Sequence, residues 1–269
     1  MSDSGSHPVV LAFENVSFSF DTEPLLTGIT FELRRGEALV LHGAAASGKT
    51  LLLKLCLGLL RPTGGRISVF GEDVTHLREG EWFDVRSRIG VLFQEGGLFD
   101  SLTIEENVSY PILNQKRLQM TPSQVRERVE TTLDFVELGH TLEKYPSELS
   151  GGMRRRVGIA RAIATQPELL LYDSPTAGLD PITANTIMAL IVKGRDLRSA
   201  TAVMATHRHQ DGDILHRYRY DRILNRLVPA TESTRTRYLV LQEGRIVFLG
   251  SPEEFDACPD PYVAKFASR

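Results

Sequence analysis

The sequence predicts an α/β fold with a mostly parallel core sheet, an N-terminal antiparallel β-layer and a helical lobe over about residues 105–165. Three observations predict it. Between residues 38 and 206, apolar runs of strand length alternate with helical runs, a pattern that places parallel strands in one sheet under helices on both faces. Ahead of that region, Val9 to Glu14, Val16 to Phe20 and Ile29 to Leu33 read as short strands, with Asp21 to Gly28 as a polar turn. From Glu105 to Tyr145 helical spacing replaces strand spacing, which sets that stretch apart as a lobe.

Taken in order, the apolar run Ala38 to Leu41 feeds Gly43-Ala44-Ala45-Ala46-Ser47-Gly48-Lys49-Thr50, and the helix-forming run Leu51 to Leu55 follows, ending near Gly58. The breaker Arg61-Pro62-Thr63-Gly64-Gly65 precedes another strand, Arg66 to Phe70. Ile89 to Phe93 is an unbroken apolar strand that ends at Gln94-Glu95-Gly96-Gly97, and loops beyond such strands hold site residues in open α/β sheets. Thr121 is the expected N-cap of a helix, with Pro122 at its first position and Gln124 closing a capping box. Val125, Val129, Leu133 and Val136 continue at helical spacing, and Gly139 is the expected stop. Leu149-Ser150-Gly151-Gly152 opens a helix over Met153 to Thr165, and Leu169 to Tyr172 is an apolar strand running into Asp173. A helix over Pro181 to Leu197 and a strand over Thr201 to Thr206 follow, with His207 at the strand's end. From Arg208 to Thr236 the pattern weakens into mixed basic and aromatic residues, interrupted by Asp211, Asp213 and Asp221, and a solvated surface extension is expected. Arg237 to Gln242 and Arg245 to Leu249 flank Glu243-Gly244 as a hairpin, and Pro252 to Arg269 is a short tail.

The totals narrow the function. A chain of 269 residues with 42% hydrophobic and 24% charged residues suits one globular unit, a single domain of two lobes spanning residues 1–269. A formal charge of −3 argues against nucleic acid as a partner. The longest apolar run, Leu51 to Leu60, contains Lys54 and falls far short of the ~20 residues of a membrane span. Met1 to Pro8 is Ser-rich and carries Asp3, so no secretory signal is expected there. Cys56 and Cys258 have no metal-like spacing and are expected to be reduced thiols in the cytosol.

Strand, small-residue loop and helix at Gly43 to Thr50 is the context of a phosphate-binding P-loop. Backbone N–H groups of Gly43, Ala44, Ala45, Ala46, Ser47 and Gly48 can curl round an anion while the helix points its positive end at the same place. Lys49 would reach the terminal phosphates and the Thr50 hydroxyl would hold Mg²⁺. At Ala46 the loop is expected to manage with a negative φ. Such a cradle needs a carboxylate on the metal side, and Asp173 supplies one at the exit of a buried strand. Ser150-Gly151-Gly152 at a helix N-terminus makes a second anion site. One nucleotide does not readily need two sites from one chain, so a head-to-tail pair of chains, each closing over the other's γ-phosphate, is expected.

The order of these motifs resembles the ATP-binding subunits of ABC transporters, across nearly the whole chain. By that resemblance Gly43 to Thr50 is Walker A, Gln94 the Q-loop and a further Mg²⁺ ligand, Leu149 to Met153 the signature, and Asp173 Walker B. Ala177-Gly178-Leu179-Asp180 is then the D-loop, His207 the switch histidine, and Phe20 the aromatic that stacks on adenine. The resemblance implies ATP and Mg²⁺ as cofactors, a second copy of the chain and a membrane permease as partners, and a cytoplasmic place on the inner face of the cell inner membrane. Met153 in the signature, the basic run Arg154-Arg155-Arg156 and the stretch Val91 to Leu102 look like the MCE-associated (Mla-type) lipid transport ATPases. That implies phospholipid movement between the membranes of a bacterium with an MCE-domain lipid-binding partner. The family pattern has a glutamate after the Walker-B aspartate, where this chain has Ser174. Serine can orient water without accepting its proton, so slow hydrolysis is expected, with His207, Gln94 and the neighbouring chain's Asp180 left to position the water. Ser174 fits either a subunit whose binding outweighs its turnover or an engineered hydrolysis trap.

Overall fold

The structure, a computed structural model, describes residues 7–21, 23–94, 96–115 and 117–267. The Met1 to Ser6 start and Glu95 of the Val91 to Leu102 stretch lie outside the described residues.

Leu11, Phe13, Val16 and Phe18 bury one face of β1 (Val9–Phe20), which pairs antiparallel with β2 (Glu23–Arg34). Two expected strands are therefore one. Asn15, at φ 50, is a bulge that shifts the register without ending the strand, and the turn shrinks because β2 begins at Glu23. Next come β3 (Ala38–Gly43), α1 (Lys49–Cys56), β4 (Gly64–Val69), β5 (Glu72–Asp73), α2 (Trp82–Arg86) and β6 (Ile89–Leu92). The helical lobe holds α3 (Ile104–Leu113), α4 (Pro122–Phe135) and α5 (Gly151–Ile163). After it run β7 (Leu169–Asp173), α6 (Pro181–Arg198), β8 (Thr201–Ala205), α7 (His209–Arg217), β9 (Tyr218–Asp221) and β10 (Arg226–Pro229). The chain closes with β11 (Thr236–Gln242), β12 (Arg245–Gly250) and α8 (Pro252–Asp256).

Three sheets result. One is the antiparallel layer in the order β2-β1-β4-β5, and β9 and β10 make a two-stranded ribbon. The core sheet runs β12-β11-β3-β8-β7-β6, parallel from β11 to β6 with β12 antiparallel at one edge. Alternate residues of β3 feed two cores. Leu39 and Leu41 face the antiparallel layer and α1, whereas Ala38 and Val40 face the lobe helices, α6 and the C-terminal segment. Because β3, β7 and β8 are buried from end to end, their C-terminal ends are fixed in space, and the loops that leave them inherit that position.

One local expectation changes and another gains detail. The α4 capping box at Thr121 and Gln124 is present, yet the helix stops at Phe135, with Glu137 at φ 61 supplying the left-handed turn expected of Gly139. The 208–236 stretch is a largely exposed or half-buried surface extension that carries secondary structure of its own, with α7 and the β9–β10 ribbon packed on α6. Asp196 accepts the Tyr220 amide at 2.7 Å, and the Arg195 guanidinium donates to the Tyr218 carbonyl at 2.8 Å. These bonds answer backbone groups that a solvated segment would leave to water.

Candidate functional site

Gly43 leaves β3 at φ 150, and a Cβ there would come within 2.4 Å of Ser47 Oγ and 2.5 Å of Leu241 O. Only glycine fits that space. Ala46 takes φ 60, against the negative φ expected, and Gly48 takes φ 106. The curl of the loop, fixed at both ends, imposes a left-handed residue on alanine at a cost of about 1–2 kcal/mol. Lys49 Nζ donates to the Gly43 and Ala44 carbonyls, both at 2.8 Å, and so binds the loop across its mouth. Burial lowers the Lys49 pKa, and the Asp173 carboxylate opposes that shift. The Gly48 cap offers α1 no side-chain acceptor, and the first turn carries no acidic residue, so its N–H groups face the loop mouth with their positive field uncancelled.

Thr50 and Asp173, 123 positions apart, meet at the same place. The Thr50 hydroxyl reaches Asp173 Oδ2 at 3.1 Å and Oδ1 at 3.3 Å. Ser174 follows at φ 49 with its Oγ 3.3 Å from Asp173 Oδ1, while its amide donates to Ala205 O at 2.8 Å. A curled loop whose hollow a Cβ would fill, an ammonium at its mouth, and a hydroxyl beside a carboxylate fit a triphosphate with a divalent cation. Lys49 would meet the phosphates, and Thr50 and Asp173 would hold the metal.

The remaining expected residues are spread around this centre. Gln94 and His207 are exposed at the ends of β6 and β8, and among the described residues no hydrogen bond joins either one to Asp173 or Ser174. Phe20 is 55% exposed at the end of β1, edge-on to Phe18, so its outer face is open. Ser150 caps α5, its Oγ accepting the Met153 amide at 3.3 Å. A Cβ on Gly152 would come within 2.5 Å of Thr183 Cγ2, so the second glycine lets α5 approach α6. Asp180 caps α6 through the Ile182 and Thr183 amides, both at 3.0 Å, and the Thr183 hydrogen bond leads the causes that lower its pKa.

Two buried residues that sequence reasoning left aside tie these parts together. Arg155 donates to the carbonyls of Ser174 at 3.3 Å and Ala177 at 3.1 Å, and so anchors the loop after Asp173 to α5. Asp211 accepts the hydroxyls of Thr176 at 2.6 Å and Thr206 at 2.7 Å, linking that loop to the residue before His207. Their sequence signals pointed elsewhere, Arg155 reading as part of a basic run and Asp211 as an interruption of one. Beside β6, a groove of about 440 Å³ is lined by Phe93, Phe99, Tyr110, Pro111 and Arg161, with the Phe99 and Tyr110 rings 4.9 Å apart.

A parallel sheet with this loop, this carboxylate and a helical lobe defines a P-loop nucleotide-binding cassette. The family model for the ABC transporter matches residues 26–177, and the chain belongs to that family as an ATP-binding subunit, an ABC-type ATPase. It is 35% identical over 276 residues to Protein TRIGALACTOSYLDIACYLGLYCEROL 3, chloroplastic, of Arabidopsis thaliana, covering 97% of this chain and 74% of that one. It is 36% identical to Methionine import ATP-binding protein MetN 2 of Rhodococcus jostii, covering 94% of this chain and 68% of the relative. Among solved structures, the dimeric post-hydrolysis cassette MJ0796 bound to ADP and Pi matches with a TM-score of 0.76 and 27% identity, covering 90% of this chain and 98% of that one. The structure of cbiO1 from Clostridium perfringens, part of the ABC transporter complex cbiONQ, matches with a TM-score of 0.76 and 28% identity over 93% and 91% of the two chains.

Proposed function

We propose that two copies of this chain clamp two ATP-Mg²⁺ head to tail and drive a membrane permease that moves phospholipid between the inner and outer membranes of a bacterium. The observation that carries the nucleotide half is the meeting of Thr50 with Asp173 beside Lys49. The bound cation would draw charge from the terminal phosphates. The chain's own part is to hold the phosphates with the 43–50 loop and the first turn of α1. Ser150, Gly151 and Gly152 then face the partner copy's nucleotide, and Asp180 lies beside them across Thr183. The dimeric cassette bound to ADP and Pi supports the pairing, and a cassette from a complex named cbiONQ supports a multi-subunit partner.

Among the described residues no helix is long and apolar enough to cross a membrane, so a separate permease would provide the path. The aromatic groove at Phe93, Phe99 and Tyr110 beside Gln94 is the surface we assign to it, with the chain peripheral on the cytoplasmic face of the inner membrane. The name of the Arabidopsis relative contains a glycolipid and supports lipid cargo, whereas the Rhodococcus name points to methionine; an MCE-domain lipid-binding partner belongs to the same proposal. Co-purification from detergent extract followed by reconstitution tests this reading. ATP-dependent movement of a fluorescent phospholipid is expected, and movement of methionine alone would overturn the lipid assignment.

A second reading rests on Ser174. Its hydroxyl contacts Asp173 but cannot take the proton of an attacking water near neutral pH, so ATP would act as a clamp with little turnover. ATP-dependent dimerisation without phosphate release would select it.

A further inference from the structure

The end of the chain returns to the phosphate loop. Asp260 Oδ1 accepts the amides of Tyr262 at 2.7 Å and Val263 at 3.2 Å, which turns the segment back towards the sheet. Val263 is fully buried in the core beneath the lobe side of the sheet, and Phe266 stacks on the His42 ring with centroids 5.8 Å apart. The Tyr262 hydroxyl lies between two backbone groups. It accepts the Ala44 N–H at 3.1 Å and donates to Leu241 O at 3.1 Å. Leu241 is the β11 residue paired with Gly43, and its carbonyl is one of the atoms that a Cβ on Gly43 would strike. The tail thus holds His42 through Phe266 and Ala44 through Tyr262, one residue on each side of the point where the chain leaves β3.

We propose that Tyr262 is a positioning residue for nucleotide binding, a strap whose hydroxyl fixes the first peptide of the phosphate loop. The Gly43 carbonyl and the Ala44 N–H belong to one planar peptide unit. Lys49 Nζ holds its carbonyl edge at 2.8 Å, and Tyr262 holds its N–H edge at 3.1 Å. With both edges held, the peptide cannot swing its carbonyl into the space the phosphates need, and Lys49 stays at the mouth. With the hydroxyl removed, one edge is released and the loop samples orientations that must be reordered when a polyphosphate binds.

The inference rests on the reading of Gly43 to Thr50 as the nucleotide site. Its test is the affinity of the full chain for ATP-Mg²⁺ and for inorganic tripolyphosphate, compared with the Tyr262→Phe variant. Phenylalanine keeps the ring against Phe266 and near Lys265, so the variant folds, and the unfolding midpoint of each protein is measured alongside. Titrations well below both midpoints, where essentially all chains are folded, remove any effect of stability alone. Both ligands are expected to bind Tyr262→Phe about 3–10-fold more weakly, the size of one lost hydrogen bond. Equal or tighter binding by the variant overturns the strap, including the case in which only its unfolding midpoint falls. A parent chain that binds neither ligand overturns the nucleotide reading instead.

Discussion

The two halves of the site are built differently. On the side proposed to hold phosphate, Lys49, Thr50 and Asp173 touch each other or the loop through hydrogen bonds, and buried strands fix their positions. On the side proposed to face the attacking water, the residue after Asp173 is Ser174 rather than a carboxylate, and Gln94 and His207 lie exposed just beyond the ends of β6 and β8. In the proposed reading one copy supplies the phosphate loop with Thr50 and Asp173, the partner copy closes the site with Ser150, and neither places a carboxylate at position 174. If Lys49, Thr50 and Asp173 hold the nucleotide and Ser174 faces the water, as proposed, substitutions on the two sides should move binding and cleavage independently.

The largest break in that comparison is Ser174→Glu. A general base at this position is worth about 10²–10⁴ in rate, so phosphate release should rise by a factor of that order while ATP affinity stays near that of the parent. Equal rates would remove Ser174 from the water side. Lys49→Ala should do the reverse to the other half. Loss of a charged hydrogen-bond donor costs about 1.5–3 kcal/mol, so ATP affinity should fall about 10–100-fold in equilibrium titration, with little change in the unfolding midpoint.

A smaller effect comes from His42, which sits between the two halves. Burial is the main cause that lowers its pKa from 6.5 to about 3, with Lys49, His209 and His207 adding to it and the Thr206 backbone opposing it. Its ring lies nearly parallel to those of Tyr238 and Phe255. Below pH 6.5 the unfolded chain takes up a proton at this residue that the folded chain refuses, so stability falls as pH falls towards 3. The slope is about 1 kcal/mol per pH unit. Denaturant midpoints of the parent and of His42→Phe between pH 7 and pH 5 should show the variant with the shallower dependence. Identical slopes would mean that His42 takes up its proton in the folded chain as well.

The smallest effect sharpens the phosphate side alone. Ala46→Gly removes a left-handed alanine, and after the added freedom of glycine in the unfolded chain a gain of up to about 1 kcal/mol is expected, read as a rise in the thermal midpoint. A fall would mean that the Ala46 methyl is held by packing that outweighs its backbone strain.

Features carried by contiguous residues were legible in the sequence. The P-loop, the apolar strand ending in Asp173 and the capping box at Thr121 and Gln124 each lie within a few positions, so spacing alone located them. Features decided across the fold were not. Ala46 takes its positive φ inside the turn that the Ser47 amide closes on the Ala44 carbonyl at 3.2 Å, a conformation that residue type alone does not specify. Asn15 looks like a strand end and becomes a bulge because β2 and β4 pair on either side of β1. The 208–236 stretch gains order from Arg195 and Asp196 on α6, and Asp211 acquires its role only when Thr176 and Thr206 converge on it. Tyr262 lies 218 positions from Ala44, a distance at which no local pattern operates.

The central claim is that ATP lies between two copies of this chain, each closing the other's site with Ser150. Sedimentation velocity of the purified chain with Mg²⁺, with and without saturating ATP, tests it most directly. The account predicts a monomer that becomes a dimer only when ATP is added, and a Lys49→Ala chain that stays monomeric throughout. A chain that remains monomeric at saturating ATP, or one that is equally dimeric without it, would contradict the claim.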